Sequence, residues 1–430
     1  MTMQGFKCAP MKHIRIGIVG VGRRGEWAAK RLSKIPGISV TALADVERYR
    51  LDEGNAALKG EGRPEAHTYL GAESYKAVAD DPNVDLVYIT APWNVHASAA
   101  VYAMEAGRHC AVEVPCAMTI DDCWLLVETA ERTRRHLIPL ENCCYGDDEL
   151  LALNLCRNGV LGTLVHGEGA YIHNLAAENF AEVDGCKYFT ALRGTWDRWR
   201  VKWNQVHDGN PYPTHGLAPI CQYMNVNRGD RLDYVVSISS MQAGITEFAT
   251  RQFGVDSPEA KAQYRLGDMN TSVFRTCKGR TIMIQHAVQS PRPYSRINLI
   301  SGTKGTLCGY PLRIALLPNS EKWLKDDEFN ALKEKHTHPF VRTAGELAKK
   351  VGGHGGMDFM MDLSWSDCLK NGLPMDADVY DAVTWSCLTE LSERSVESGS
   401  KPVPVPDFTR GGWKTATPLG IKTIGRSGGI

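Results

Sequence analysis

Histidine and tyrosine side chains stand in rigid or glycine-flanked segments of the second half of this chain. Tyr212 and His215 lie in the turn Asn210–His215, where two prolines around Tyr212 stiffen the backbone before a helix predicted to begin near His215. Tyr294 follows a proline, and His354 is flanked by two pairs of glycines, which neither helices nor strands favour. Histidine transfers protons near neutral pH, and a rigid turn fixes such a group in space. The structural alternatives are helix capping for His215, packing for the tyrosines and an incidental loop residue for His354.

Metal-dependent hydrolysis and hydrolysis by two carboxylates are not indicated by the other polar residues. No H-x-x-x-H pattern occurs, and His336 and His338 stand in a charged segment without an obvious third ligand. No Asp or Glu pair stands out, and Asp376, Asp378 and Asp381 fit the capping or the exposed face of a helix. We therefore predict no metal site and no paired-carboxylate mechanism.

The amino-terminal part carries a pattern that binds dinucleotides. A strand rich in isoleucine and valine is predicted over 13–19, followed by the G-x-G-x-x-G of Gly20, Gly22 and Gly25 and then by a helix. Gly20 permits the tight turn, Gly22 lets the backbone approach a pyrophosphate, and Gly25 lets the helix pack on the strand. A second predicted strand, 39–44, ends at Asp45, where a carboxylate accepts hydrogen bonds from ribose hydroxyls.

Asp45 also bears on which nicotinamide cofactor binds. Its charge repels a 2′-phosphate, so NAD is predicted as the cofactor in preference to NADP. Arg23, Arg24 and Arg48 place positive charge nearby and keep NADP open as an alternative. A strand-to-helix turn without any ligand is the structural alternative for the whole glycine motif.

Strands and helices continue to alternate as far as residue 140, which predicts a doubly wound parallel sheet. The predicted strands are 85–90, 109–114 and 136–140, and the predicted helices are 97–106 and 119–133. Ligands of such sheets bind at the carboxyl ends of the strands. Five residues at these ends are candidate cofactor contacts, with loop capping or solvent exposure as the alternative: Trp93, Asn94, His96, Glu113 and Asn142.

The segment Arg193–Trp203 alternates tryptophans with basic residues. Flat aromatic rings stack on the C–H faces of sugars, and the cations would serve the polar rim of such a ligand. Nucleic-acid binding is the second interpretation, but the chain balances 49 Lys+Arg against 49 Asp+Glu. An amphipathic surface helix is the structural alternative. We predict no nucleic-acid partner.

Composition places the chain among folded, multidomain proteins. It has 430 residues, 43% hydrophobic and 23% charged, which excludes a largely disordered chain and predicts two or three domains. No apolar run approaches the roughly 18 residues of a transmembrane helix, so no membrane partner is predicted. Thirteen cysteines without a C-x-x-C pair indicate neither a zinc ribbon nor a disulfide framework. The first ten residues lack the apolar segment of a signal peptide, so the cytoplasm is the default compartment, with export if a signal was removed.

The glycine motif, the strand ending at Asp45 and the A-P-x-x-x-H loop Ala91–His96 resemble the Gfo/Idh/MocA oxidoreductases. That resemblance implies an α/β fold with two domains, an amino-terminal Rossmann domain (1–145) and a carboxyl-terminal α/β domain (146–430) with an open, mainly antiparallel sheet. The open sheet is a candidate homo-oligomer interface. One departure is informative: dehydrogenases of this family carry E-K-P, whereas this chain has Glu113-Val114-Pro115. Valine can neither donate nor accept a proton, so an ordinary dehydrogenase mechanism is not expected.

A closer resemblance is to glycoside hydrolase family 109, whose members are NAD-dependent glycosidases best known for releasing α-linked N-acetylgalactosamine. Six separated segments carry it in the right order: 141–145, 166–173, 210–217, 267–271, 290–295 and 352–356. The resemblance implies contacts to the sugar by Tyr171, Arg200, Tyr212, His215 and Tyr294. It implies proton transfers by His215, Tyr212, Tyr294 and His354, without deciding which is acid and which is base. It implies cofactor contacts by Gly20, Gly22, Arg23, Arg24, Gly25, Asp45, Trp93, Asn94, His96, Glu113, Val114 and Asn142.

The predicted reaction is glycoside hydrolysis by transient oxidation. NAD⁺ takes a hydride from C3 of the sugar, the ketone acidifies the proton at C2, and a base removes it so that the aglycone leaves by elimination. Water then adds to C1, C2 is reprotonated and the hydride returns to C3. One alternative is a sugar or inositol dehydrogenase with net hydride transfer, which Val114 argues against. Another is a non-catalytic NAD-binding sensor, against which the clustered histidines and tyrosines argue weakly.

Overall fold

Two β-sheets organise the chain, one in each half, and helices pack against both. The computed structural model describes residues 1–180 and 198–423. Positions 193–197 of the predicted tryptophan and arginine segment therefore lie outside the described residues. Among the described residues, no helix is long and apolar enough to cross a membrane.

In the part of the chain that the structure describes, the first sheet has six parallel strands in the order β3-β2-β1-β4-β5-β6. The buried apolar runs that predict parallel strands form its centre, where β1 pairs with both β2 and β4. The strands are β1 (Ile14–Val19), β2 (Ile38–Asp45), β3 (His67–Leu70), β4 (Leu86–Ile89), β5 (His109–Val112) and β6 (Leu137–Pro139). The helices between them are α1 (Arg23–Leu32), α2 (Arg48–Gly60), α3 (Ser74–Asp80), α4 (Trp93–Glu105) and α5 (Ile120–Thr133). The predicted doubly wound sheet is confirmed.

Two details differ from the sequence-based expectation. The loop predicted over Ala91–His96 is shorter, because Pro92 caps α4 with a backbone angle that suits a helix start, so α4 begins at Trp93. Asn94 and His96 consequently lie in the first turn of a helix. Strand β3 was not predicted, since its side chains are exposed or half-buried and show no apolar run.

Within the described residues, the second sheet has eight strands in the order β13-β12-β11-β7-β10-β9-β8-β14. All pairings are antiparallel except that of β10 with β7. The mainly antiparallel second sheet, and with it the α/β fold class, is confirmed. The strands are β7 (Leu164–Ile172), β8 (Leu232–Ser239), β9 (Asn270–Thr276), β10 (Thr281–Ala287), β11 (Leu299–Gly302), β12 (Gly305–Cys308), β13 (Arg313–Leu316) and β14 (Val403–Pro404).

Helices of the second half contact both sheets. They are α6 (Asp147–Arg157), α7 (Ala176–Phe180), α8 (Trp199–Val206), α9 (Thr214–Tyr223), α10 (Gly244–Phe253), α11 (Pro258–Lys261), α12 (Asp326–His336), α13 (Pro339–Val351), α14 (Met357–Asn371), α15 (Val379–Ser386) and α16 (Leu388–Glu397). Helix α9 packs on β7 and β10. Phe340 of α13 and Trp365 of α14 share a buried apolar cluster with Ile16 of β1, so the second half also covers the first sheet. The domain limits 1–145 and 146–430 stay a prediction.

Candidate active site

The three glycines of the amino-terminal motif differ in what surrounds them. Gly20 has a φ of +86°, and a Cβ there would lie 2.7 Å from the amide nitrogen of Ala91. A Cβ at Gly25 would lie 2.1 Å from the carbonyl oxygen of Gly20. A Cβ at Gly22, which caps α1, would meet no atom within 4 Å. The motif therefore leaves open space at the amino end of a helix, which suits the pyrophosphate of a dinucleotide.

Replacing Gly22 by alanine is expected to weaken NAD binding at least about tenfold without lowering the thermal stability of the fold, because the methyl group enters the open space and touches no protein atom. The control is Gly20→Ala, which should destabilise the protein because its Cβ would overlap backbone and its φ is positive. The NAD content of the purified proteins, isothermal titration and thermal unfolding measure both effects. Wild-type affinity in Gly22→Ala would contradict the prediction.

Asp45 lies at the end of β2 and holds the glycine turn. Its carboxylate accepts hydrogen bonds from the amide of Val21 at 2.6 Å and from the amide of Glu47 at 3.0 Å. Burial raises the pKa of Asp45, and these amide bonds partly offset that effect. The position at the end of β2 and beside the glycine turn fits a hydrogen bond to an adenosine ribose, so these residues fit NAD.

The two arginines of the motif point to different partners. Arg23 stacks over Trp27 and lies 3.8 Å from Glu178. The guanidinium of Arg24 turns inward, with Nε 2.8 Å from Glu113 Oε1. Glu113 directly follows β5, so this pair joins the carboxyl ends of two strands of the first sheet.

Three of the other residues predicted to contact the cofactor lie at the start of α4. Asn94 is exposed and Trp93 is buried. The ring nitrogens of His96 lie 2.8 Å from the carbonyl oxygens of Pro115 and Ala91. Carbonyl oxygens only accept, and burial lowers the pKa of His96, so the neutral ring donates a hydrogen bond to one of the two carbonyls and is enclosed between the loops that carry them.

Val114 lies where the two halves of the chain meet. It is buried in one apolar cluster with Trp93 of the first half and with Tyr171 and Tyr212 of the second. The side chain at the position of the dehydrogenase lysine therefore contributes packing and no proton-transfer group to this part of the site.

His215 and Glu141 form a pair that sequence reasoning missed. Nδ1 of His215 lies 2.7 Å from Oε1 of Glu141, and the carboxylate is 1% exposed. Helix α9 brings His215 there because it approaches β7 very closely: a Cβ at Gly169 would lie 2.2 Å from the carbonyl oxygen of Gly216. Glu141 comes just after β6, a strand end like those that provided the other candidates, so its position was an available signal.

Glu141 stays ionised although it is buried. Burial acts to raise the pKa of this carboxyl, but the imidazole of His215 and hydrogen bonds that include the amide of Cys143 outweigh it and lower the pKa. The carboxylate accepts a hydrogen bond from the Nδ1–H of His215, which leaves the lone pair on Nε2 to accept a proton. The pair can therefore act as an oriented general base.

Two tyrosine rings pack against His215. The ring centroids of Tyr212 and Tyr171 lie 4.9 Å and 5.3 Å from that of His215. Burial raises the pKa of both phenols well above the usual value. Both groups therefore stay protonated at neutral pH and can donate hydrogen bonds, whereas proton abstraction by them is disfavoured.

Arg200 lies in the aromatic wall of this site. Its guanidinium carbon is 5.1 Å from the ring centroids of Trp93 and Trp199 and 5.6 Å from that of Tyr212. The Nε of Arg200 is buried and has no partner among the described residues. A polar ligand entering the site would satisfy this donor.

Tyr294 joins the same site from the segment after β10. Its ring is 5.1 Å from that of His173, whose Nδ1 lies 3.0 Å from the hydroxyl of Tyr171. Arg296 donates to the Tyr294 hydroxyl at 3.0 Å and to Glu149 at 2.7 Å. Burial raises the pKa of Tyr294, and Arg296 moderates the shift.

His354 lies between the cofactor turn and the second half. It occupies a short 3-10 turn, His354–Gly356, with a φ of +46°. Its Nδ1 donates to Asp358 at 2.9 Å, and Arg24 reaches the same carboxylate at 3.1 Å. Asn142 donates to the other oxygen of Asp358 at 2.6 Å. Asp358 was not predicted, although its spacing of four residues from His354 was visible in the sequence.

Glu141, Cys143 and His215 have potential metal-ligand atoms within 4.8 Å of one another. In a tetrahedral zinc site, donor atoms bound at about 2.0–2.3 Å stand roughly 3.3 Å or more apart. The 2.7 Å between His215 and Glu141 is shorter and is a hydrogen bond. The group therefore fits a histidine–carboxylate pair better than a metal centre.

Acid should destabilise the fold through Glu141 and Asp358. Burial opposes ionisation of Asp358, but Arg24, the His354 hydrogen bond and Arg31 lower its pKa. Both carboxyls have a lower pKa in the folded protein than in the unfolded chain, where the pKa is about 4. Their ionised forms therefore stabilise the fold fully above about pH 4, and this stabilisation is lost as the pH falls through the pKa values of the folded state. The urea concentration at the unfolding midpoint should therefore decrease as the pH is lowered below about 4. Glu141→Gln and Asp358→Asn should flatten that decline, and an unchanged slope in both variants would contradict it.

Solved structures with the same fold bind nicotinamide cofactors. A levoglucosan dehydrogenase in complex with NADH and levoglucosan superposes with a TM-score of 0.66 at 15% identity, covering 92% of this chain and 100% of that one. An oxidoreductase domain protein from Kribbella flavida gives a TM-score of 0.70 at 16% identity, with 92% and 100% covered. At these identities the likeness shows the fold alone. A family profile described as "Oxidoreductase family, NAD-binding Rossmann fold" matches residues 14–139. The first half is thus an NAD-binding Rossmann unit, and the cofactor is NAD.

The second half of the chain identifies the protein family more specifically. A profile described as "Glycosyl hydrolase 109, C-terminal domain" matches residues 145–415. A glycosyl hydrolase family 109 protein 2 from Phocaeicola vulgatus is 46% identical over 408 residues, which is 95% of this chain and 97% of that one. An alpha-N-acetylgalactosaminidase from Bacteroides fragilis is 45% identical over 411 residues, 95% of each chain. The chain belongs to glycosyl hydrolase family 109 and is an NAD-dependent glycoside hydrolase, so the predicted resemblance is confirmed.

Proposed function

We propose that this enzyme hydrolyses α-linked N-acetylgalactosaminides or closely related glycosides, with NAD regenerated in every turnover. The observation that carries the proposal is the His215–Glu141 pair, a base that does not depend on the lysine missing at Val114. The name of the 45% identical relative from Bacteroides fragilis supports this substrate class.

The cofactor and the protein residues have different tasks in the proposed reaction. When bound, NAD supplies a hydride acceptor for C3 of the sugar and a donor that restores C3 at the end. Gly20, Gly22, Gly25 and Asp45 hold the dinucleotide. The candidate contacts Arg23, Trp93, Asn94, Val114 and Asn142 line the same edge of the first sheet or the boundary with the second half.

His215 is the proposed base for the proton at C2. Glu141 holds the Nδ1 proton and stabilises the imidazolium that forms when Nε2 accepts a proton. The phenols of Tyr212 and Tyr294 remain protonated and serve as hydrogen-bond donors to sugar oxygens. His354, whose side chain is 44% exposed, is the proposed group for proton exchange with the departing aglycone and the incoming water.

Recognition of the sugar is assigned to the aromatic wall. Tyr171 and Tyr212 present flat rings beside His215, and Arg200 lies over the rings of Trp93 and Trp199 with an Nε that no described residue contacts. Rings of this kind stack on C–H faces, and a guanidinium donates to hydroxyl and acetamido oxygens.

The test uses an aryl α-N-acetylgalactosaminide in D₂O without added NAD. Release of the aryl group with deuterium at C2 and no net NADH supports the proposed reaction. Net NADH formation from a free sugar would replace it by the dehydrogenase alternative. No turnover across a panel of sugars, with NAD still bound, would favour the sensor.

The partly exposed face of the second sheet is the proposed homo-oligomer contact. Val236 of β8 pairs with Val273 of β9, so Ile238, two residues further along β8, lies on the same face. Ile238 and Val273 are 59% and 39% exposed. Sedimentation should show an oligomer that Val273→Asp dissociates, and a monomeric wild type would contradict this.

A further inference from the structure

Asp358 is a fully buried carboxylate in the first turn of α14 on which groups from distant parts of the chain converge. His354 and Arg24 contact Oδ2 at 2.9 Å and 3.1 Å, and Asn142 contacts Oδ1 at 2.6 Å. Arg31 lies 3.6 Å from Oδ2. Two of these partners, Arg24 and Asn142, are candidate cofactor contacts, and a third, His354, is a candidate proton-transfer group.

The turn that carries His354 provides little restraint of its own. Glycines precede and follow the histidine, and Gly353 and Gly355 have φ values of +85° and +71°. Asp358 packs directly against this turn, since a Cβ at Gly353 would lie 2.8 Å from Oδ2. Nδ1 of His354 lies 2.9 Å from this carboxylate and 3.3 Å from the guanidinium of Arg24, and the shorter contact with the charged acceptor favours a proton on Nδ1, which leaves Nε2 for chemistry.

Arg24 connects Asp358 to the cofactor turn. The residue lies between Gly22 and Gly25, and its guanidinium also binds Glu113 at the end of β5. Because one guanidinium contacts both carboxylates, the position of Asp358 depends on the geometry of the glycine motif.

We propose that Asp358 is a positioning residue that couples His354 to the cofactor turn, so that His354 is correctly oriented only while Arg24 and Glu113 are in place. The proposal rests on the proposed function for the use of His354 in turnover. The coupling itself is a property of the folded protein and has a readout that needs no glycoside.

Asp358→Asn should raise amide hydrogen exchange in the segment 352–356 by about tenfold, because the neutral amide loses the charge-assisted bonds to His354 and Arg24. It should lower kcat by roughly 10- to 100-fold with little change in KM, since the sugar still binds but His354 is misplaced. Mass spectrometry of exchange and steady-state kinetics on the NAD-loaded enzyme measure the two effects.

Asp362→Asn is the matched control. Asp362 is equally buried one helical turn further on, and its partners are Arg31, Tyr88 and Trp365. This change should lower the thermal midpoint while exchange in 352–356 and kcat stay within about twofold of wild type. Equal effects of the two variants on exchange would reduce Asp358 to a general structural role and overturn the proposal.

Arg24→Lys covers the case in which Asp358→Asn does not fold. Lysine keeps the charge but lacks the fork that contacts both Glu113 and Asp358. Exchange in 352–356 should rise although the substitution lies in the other half of the chain, and unchanged exchange would overturn the coupling. If wild type releases no aglycone, the proposed function fails, while the exchange data still decide the role of Asp358.

Discussion

Replacing His215 by alanine should lower kcat by about 10²–10⁴-fold, the range that a positioned general base contributes. Nε2 of His215 is the proposed acceptor of the proton from C2, and Tyr212 and Tyr171 are not expected to replace it because burial raises the pKa of both phenols. Release of an aryl α-N-acetylgalactosaminide under saturating substrate measures the loss. Deuterium incorporation at C2 should fall in parallel, because the same proton transfer governs it.

His166→Ala is the control for this change. His166 and Glu168 also form a histidine–carboxylate contact, at 3.3 Å, but His166 faces Thr281 within the second sheet and not the site. Its removal should leave kcat within about twofold. Retention of C2 exchange in His215→Ala, with bound NAD and a normal thermal midpoint, would refute the assignment of the base.

Glu141→Gln should lower kcat by up to about 10⁴-fold, by analogy with the same carboxylate-to-amide change in serine proteases. A glutamine amide donates as well as accepts, so it can stabilise the tautomer of His215 that carries the proton on Nε2. It also removes the negative charge that stabilises the imidazolium. Glu141→Asp keeps the charge and should recover part of the activity.

A double-mutant cycle separates orientation from an independent role of Glu141. If Glu141 acts through His215, the double variant Glu141→Gln/His215→Ala should be no slower than His215→Ala alone. Glu168→Gln, the carboxylate of the control pair, should have no effect on kcat. Additive losses in the cycle would show that Glu141 has a second function and would contradict this interpretation.

The amino-terminal fold was predictable because its signals are local. The run before Gly20, the glycine spacing and the acidic residue at the end of β2 are each visible within a short stretch of sequence. Strand β3 escaped prediction because its residues are only partly buried and carry no apolar alternation. The start of α4 was placed too late because Pro92 was read as part of a loop.

The candidate site was predictable as a set of residues but not as a set of pairs. Tyr171, Tyr212, His215 and Tyr294 do lie together. Residues that contact each other at the site are far apart in the sequence: Glu141 is 74 positions from His215, and Asp358 is 334 positions from Arg24. Contacts across such separations leave no periodic or spacing signal in a single sequence.

By itself, the sequence determined the residue types available for chemistry: a glycine cradle, an acidic strand end, no lysine at position 114, and histidines and tyrosines in stiff or glycine-rich turns. Only the tertiary structure decided what each group can do. Proton affinity depends on burial and on neighbouring charges, and both arise when distant segments pack. The buried phenols thereby stay protonated, Glu141 stays ionised beside His215, and the ring of His96 is enclosed between two backbone carbonyls.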